Sequence, residues 1–298
     1  MTAATRPPTA PLSEGERVAV GYEVIQHLRR GGDCDVYDAW SEERDCRCVA
    51  KTLRPDRRSH GPARQRLRTE GRLLLSLSHP HIVRAYELIG RPDPVLVLET
   101  IDGETVKHLS ERRRHRLSST DIAFLGMHLC AAIQYLHRNG VLHLDLKPSN
   151  VISDQGLAKV IDLSIAKPPG RGRRGIGTAG YMAPEQALGG TLSAATDVWG
   201  IGAVLFEAAT GGAPCPDGIE SGMNGTGRPS VPPSVRSHRR LPTQLARVID
   251  SSLDPDPGER PQVRELSTTL DAVAMLALER SAPQVGKTAQ GSAVNGDK

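Results

Sequence analysis

Apolar residues follow two different rhythms along this chain. In the first hundred residues they come in short runs. YEVIQHL (22–28) and CRCVAKTL (46–53) are β-branched, short and separated by Gly31-Gly32, which predicts two strands. VLVLETI (95–101) is an apolar run of strand length. Between them RQRLRTEGRLLLSL (64–77) places Leu67, Glu70 and Leu74 on one side of a predicted helix. Past Asp102-Gly103 the rhythm becomes helical. Ser118-x-x-Asp121 reads as a capping box opening a helix through Ile122, Leu125, Leu129, Ala132, Ile133 and Leu136, closed by Asn139-Gly140. TDVWGIGAVLFEAATG (196–211) predicts a buried helix, and another is expected over about 261–279. Residues 211–242, with several glycines and prolines, predict a long surface loop. Residues 1–17 and 279–298 are small, polar and proline- or glycine-bearing, and are expected to be a disordered leader and tail. The domain between them divides near residue 102, into a part over about 18–101 and a part over about 102–278.

Composition removes several function classes. Aromatic residues make up 3%, too few for the stacking surfaces that hold single-stranded nucleic acid. A net charge of +4 implies no nucleic-acid partner without a localised motif. No apolar run reaches the roughly 18 residues of a membrane span, and the first residues lack the apolar stretch of a secretory signal. The five cysteines, Cys34, Cys46, Cys48, Cys130 and Cys215, are odd in number and irregularly spaced, as expected of reduced thiols in a cytoplasmic protein. Cys46-x-Cys48 has no second pair at zinc-site spacing. Gly286-Lys287-Thr288 is no phosphate loop, because Ser281 stands where that loop needs its first glycine.

HLDLKPSN (143–150) carries the chemistry. Asp145, Lys147 and Asn150 fall within six residues in otherwise apolar surroundings, and a solvated charged turn is the plainer explanation. Twelve residues on, Asp162 follows Val160-Ile161, where packing gives little reason for an acid. Asn150 and Asp162 offer the oxygen ligands of a divalent ion. Asp145 is suited to accept a hydroxyl proton, and Lys147 to neutralise a phosphate in transfer.

With these motifs in this order, the chain from about 20 to 275 resembles bacterial, eukaryotic-like serine/threonine protein kinases. The resemblance implies an α+β, two-lobed fold, a small antiparallel sheet with one helix and a larger helical lobe, with ATP in the cleft between. It implies ATP-dependent phosphorylation of serine or threonine in protein substrates, with magnesium, or manganese in its place. Lys51 matches the strand lysine that holds the α- and β-phosphates, and Glu70 the helix glutamate paired with it. Leu98 falls at the gatekeeper position and Glu99 to Ile101 at the hinge. Leu28, Gly31, Gly32, Val36 and Val49 complete the implied nucleotide contacts. His143 begins the catalytic loop. Asp145 matches the catalytic base, Lys147 its companion, and Asn150 and Asp162 the metal ligands. Thr178 matches a threonine that contacts Asp145 and Lys147. Glu185 and Arg260 match a buried ion pair, and Asp197 the helix aspartate that supports the catalytic loop; these three are scaffold.

Three departures stand out. In LRRGGDCDVY only Gly31 matches the three-glycine phosphate loop; Arg29 and Cys34 replace the outer two, and side chains there oppose close backbone approach to phosphate. Arg29 adds positive charge that Asp33 and Asp35 oppose. Leu144 stands where phosphorylation-switched relatives carry an arginine, and residues 165–177 contain no Ser, Thr or Tyr, so activity is expected to need no phosphorylation of that loop. Ser164 replaces a glycine after Asp162-Leu163, a change expected to be tolerated. The basic runs 111–116, 171–174 and 238–240 read as solvated surface, except that RGRR (171–174) lies beside the implied substrate site and could attract acidic substrates. Cys34 reads as a small filler in place of glycine, with a redox-sensing role as the sharper option. Two other functions compete: a nucleotide-binding pseudokinase acting as a scaffold, favoured by the degraded glycine loop, and a small-molecule phosphotransferase, disfavoured by Lys147 and by the segments around 183–185 and 197–200.

Overall fold

The computed structural model describes residues 9–112, 117–218 and 231–281. Its first lobe is a six-stranded sheet: β1 (Arg17–Ala19), β2 (Tyr22–Arg30), β3 (Cys34–Ser41), β4 (Cys46–Leu53), β5 (Ala85–Ile89) and β6 (Val95–Glu99). The order is β1-β2-β3-β4-β6-β5 and every pairing is antiparallel. Helix α1 (Gly61–Ser76) packs on β4, β5 and β6 through Ala63, Leu67, Glu70, Gly71 and Leu74. The sheet is expected from its apolar runs, but β3 was hidden in the sequence. It carries Asp35 and Asp38, which are buried and paired across the sheet with Arg30 and Arg47 at 2.8 Å each. Burying an acid is tolerated when a guanidinium satisfies it, so charge pairing stands where apolar alternation would have marked the strand.

The second lobe holds α2 (Val106–Arg112), α3 (Ser119–Arg138), α4 (Pro184–Leu188), α5 (Ala194–Thr210), α6 (Thr243–Ser252) and α7 (Val263–Ser281). Short strands β7 (Glu104–Thr105), β8 (Val151–Asp154) and β9 (Leu157–Val160) form one small sheet, and β10 (Gly170–Arg171) pairs with β11 (Thr191–Leu192) in another. Helix α3 opens with the expected capping box: Asp121 N–H donates to Ser118 Oγ at 3.0 Å and Ser118 N–H to Asp121 Oδ2 at 3.3 Å. Helix α5 is buried along nearly its whole length and forms the lobe's axis against α3 and α6. Gly103 marks the crossing between lobes, where a Cβ would collide with the Ser153 carbonyl.

The expected long surface loop over 211–242 is corrected in part. Val235 is fully buried and Leu241 nearly so, because a short 3₁₀ turn (Val235–Ser237) is fixed by Asp250, which accepts from Ser234 Oγ and Val235 N–H at 2.6 and 2.9 Å. Residues 219–230 of that loop lie outside the described residues. So do 1–8 of the expected leader, 282–298 of the tail and 113–116 of the first basic run. Leu12 N–H donates to Tyr37 Oη and Gly15 N–H to the Val24 carbonyl, both at 2.9 Å, so residues 12–15 lie along the sheet. Arg239, in the third basic run, donates to the Leu117 carbonyl at 2.6 Å and joins the start of α3 to the loop. Among the described residues no helix is long and apolar enough to cross a membrane.

Candidate active site

A cleft of about 560 Å³ separates the lobes, within the usual range of small-molecule sites. Its walls include every residue expected to contact nucleotide: Leu28, Gly31, Gly32, Val36, Val49, Lys51, Glu70, Leu98, Glu99 and Ile101, together with Asp162. Arg29, Cys34, Thr105 and Ser149 also line it. The Lys51 ammonium sits 2.8 and 2.9 Å from the two Glu70 oxygens and 3.5 Å from Asp162 Oδ1. Burial alone would push the lysine pKa down; Glu70 and Asp162 more than offset it and hold the ammonium charged. Burial would likewise raise Asp162, but Lys51 and the hydrogen bond from Ser164 hold it well below the usual carboxylate range. Asp162 is therefore an anion at neutral pH.

The tip of the β2–β3 hairpin is held from outside. Gly31 N–H donates to the Cys34 carbonyl at 2.7 Å, Arg54 Nη1 donates to the Gly31 and Gly32 carbonyls at 3.3 and 3.2 Å, and Asp33 pairs with Arg66 of α1. Burial pushes the Cys34 thiol up to about 12, so it is a neutral packing group against the core and not a poised thiolate.

Asp145, Lys147 and Thr178 form a closed triangle. Thr178 Oγ1 donates to Asp145 Oδ1 at 2.6 Å, and the Lys147 ammonium donates to Asp145 Oδ2 at 2.7 Å and to Thr178 Oγ1 at 2.6 Å. Asn150 Nδ2 donates to the Asp145 carbonyl and to Asp145 Oδ2 at 3.0 and 3.1 Å. Those two acceptors fix the amide's orientation, so its oxygen is the atom left over. Asn150 Oδ1 is buried and has no hydrogen-bond partner among the described residues. An orphaned buried carbonyl costs roughly 1–3 kcal/mol unless something satisfies it. Together with the Asp162 carboxylate it makes a hard-oxygen pair that fits a divalent cation such as magnesium.

Behind the triangle, Asp197 fixes the loop backbone. It accepts from His143 N–H and Leu144 N–H at 2.9 and 2.8 Å and lies 2.8 Å from His137 Nε2. These bonds hold Leu144 at φ 68°, a left-handed backbone that costs a non-glycine residue about 1–2 kcal/mol. His143 is fully buried, which lowers its pKa, and its Nδ1 accepts from Asp145 N–H at 3.1 Å. Leu146 rests on α5 at Gly200, where an added Cβ would meet the Leu146 side chain at 2.8 Å. Glu185 and Arg260 stand apart from the cleft as a two-pronged ion pair at 2.8 and 2.9 Å, with Arg260 stacked over Trp199 at 5.1 Å.

Two features escaped the sequence reading. Leu142, Leu144 and Leu192 form a small buried cluster with Ile165 packed on it, so the leucine in the arginine's place joins the catalytic loop to the segment after Asp162. Gln186, 4% exposed, donates from Nε2 to the carbonyls of Leu144 and Ile176, each at 2.7 Å. A lone glutamine at the start of a five-residue helix carries no sequence signal for this bridge; only the fold brings positions 144, 176 and 186 together.

Comparison with known proteins agrees with this geometry. The family model described as protein kinase domain matches residues 22–269. Among curated proteins, the probable serine/threonine-protein kinase SCO3848 of Streptomyces coelicolor is 32% identical over 67% of this chain and 31% of its own length. Serine/threonine-protein kinase PknB of Mycobacterium tuberculosis is 30% identical over 81% of this chain and 41% of its own. The chain thus spans less than half the length of these relatives. The crystal structure of the Mycobacterium tuberculosis PknI kinase domain superposes with a TM-score of 0.69 over 89% of this chain and all of that one, at 22% identity, and shares the fold.

Proposed function

The chain belongs to the protein kinase domain family, and we propose that it transfers the γ-phosphoryl group of ATP to serine or threonine hydroxyls of protein substrates. The observation that carries this reading is that every charged group such a transfer needs is present and in contact with its partner. In the proposed reaction, Lys51 binds the α- and β-phosphates, held in place by Glu70. Asp145 accepts the proton of the substrate hydroxyl as its oxygen bonds to the γ-phosphorus and the bond to the ADP oxygen breaks. Thr178 and Lys147 aim the Asp145 carboxylate, and Lys147 offsets charge on the moving phosphoryl group. Asn150 Oδ1 and Asp162 would hold the divalent ion, which supplies electrostatic stabilisation of the phosphate oxygens.

The same proposal includes control. A phosphorylated loop works by pairing a new dianion with a waiting arginine. Here a buried leucine cluster and the Gln186 bridge join the same two segments without charge, which supports activity independent of loop phosphorylation. A nucleotide-binding scaffold is the second reading, favoured by Arg29 and Cys34 in the hairpin. Incubation with labelled ATP, magnesium and a generic protein acceptor separates the two. Transfer by the wild type that is lost in Asp145→Asn supports the kinase reading, and binding of ATP without transfer supports the scaffold.

A further inference from the structure

Beside the Asp145 triangle lies a rigid cationic loop that the transfer chemistry does not use. Arg171 and Arg173 are exposed, and neither makes an ion pair among the described residues. On the sheet lobe, by contrast, Asp33, Asp35, Asp38, Asp56 and Asp93 are each paired with an arginine. The loop is held in shape by its backbone. Gly170 and Arg171 pair with Leu192 and Thr191, Gly172 N–H donates to the Gly190 carbonyl at 2.8 Å, and Gly175 N–H to the Ala187 carbonyl at 3.2 Å. Lys167 Nζ donates to the Arg171 carbonyl at 2.7 Å, adding a third cation to the base of the loop.

The loop runs directly into the site. Ile176 N–H bonds back to the Arg173 carbonyl at 3.4 Å, the Ile176 carbonyl is held by Gln186, and Thr178 touches Asp145. Four residues separate Arg173 from Thr178, and at most about 3.3–3.6 Å of chain per residue keeps the guanidiniums within reach of a peptide whose hydroxyl lies at Asp145. Ile176, 49% exposed, offers an apolar contact between them. Thr105 and Ser149, which line the cleft, are neutral. A fixed cationic surface with spare hydrogen-bond donors selects carboxylates or phosphates and repels basic peptides.

We propose that Arg171 and Arg173 form a docking surface for acidic peptide substrates, so that this chain favours serine or threonine flanked by aspartate or glutamate. The inference rests on the kinase reading and deepens it by naming the substrate class. Exposed charge pairs are individually weak, so two of them predict a three- to tenfold preference, on the scale of about 1.4 kcal/mol per factor of ten, and one that fades with salt.

The test uses the full chain and peptides of one backbone sequence carrying acidic, neutral or basic residues around a single serine. The acidic peptide is expected to show the highest kcat/KM through a lower KM, with the advantage shrinking at high salt. Arg171→Glu/Arg173→Glu should invert the order, with the melting temperature reporting that the variant folds. Transfer with no charge preference, a preference for the basic peptide, or an unchanged order in the variant would overturn the inference while leaving the kinase reading intact. Fluorescence anisotropy of the labelled acidic peptide keeps the two separable. Salt-sensitive binding lost in the variant, without phosphate transfer to any peptide, would support the docking surface and overturn the kinase reading. No binding and no transfer would overturn both.

Discussion

Charged side chains of the candidate site are held by partners that leave each one state. Lys51 is kept charged by Glu70 and Asp162, and Asp162 is kept ionised by Lys51 and Ser164. Lys51→Met and Asp162→Asn should each reduce phosphate transfer to background, measured with labelled ATP, while near-ultraviolet circular dichroism reports an intact fold. Retained near-wild-type rates in either variant would remove that residue from the mechanism. The hairpin departures predict a change of binding. If Arg29 and Cys34 cost about 1–2 kcal/mol of backbone fit, Arg29→Gly/Cys34→Gly lowers the KM for ATP roughly five- to thirtyfold. A KM that stays the same or rises would instead assign Arg29 a phosphate contact.

His128 gives a pH signature at the same scale. It stacks on His81 at 4.2 Å, its Nδ1 accepts from Ala158 N–H, and burial, with His81 adding to it, lowers its pKa from 6.5 to about 4. The fold therefore holds it neutral while the unfolded chain takes up a proton at higher pH. Its contribution is complete above pH 6.5 and is lost as the pH falls toward 4. Calorimetry at pH 7.5 and 5.0 should show a melting temperature that falls less in His128→Gln than in the wild type. Equal losses would place the acid sensitivity elsewhere.

Among the elements, the ion pair that joins α4 to the loop before α7 is the clearest structural dependency. The Arg260 side chain is wholly buried, donating to Glu185 and to the carbonyls of Asp254 and Ala195. Arg260→Met leaves Glu185 uncompensated and should cost about 3–5 kcal/mol in urea unfolding. A loss under about 1 kcal/mol would mean that water replaces the guanidinium. These elements also show what was legible in the sequence. HLDLKPSN announces itself because its members lie within one turn of chain, and α3 and α5 because their apolar residues repeat. Strand β3 was illegible because its buried positions include Asp35 and Asp38, and α6 because it is a ten-residue amphipathic helix directly after the glycine- and proline-bearing stretch. Gln186 and the Leu142, Leu144 and Leu192 cluster were illegible for a further reason: their partners are set by tertiary contact alone. Leu144 was visible as a missing arginine, but not as the centre of an apolar contact.

Across the whole molecule, the Lys51–Glu70 pair, the Asp145 triangle and the segment between them are all assembled without any added charge. If the proposed function holds, the site needs no phosphate on the segment from Asp162 to Glu185 in order to act. The direct measurement is the time course of substrate phosphorylation by protein treated with a broad phosphatase, freed of it, and compared with untreated protein. Equal initial rates and no lag are expected. A large loss of rate that returns on preincubation with ATP, with a phosphate mapped between Asp162 and Glu185, would contradict this.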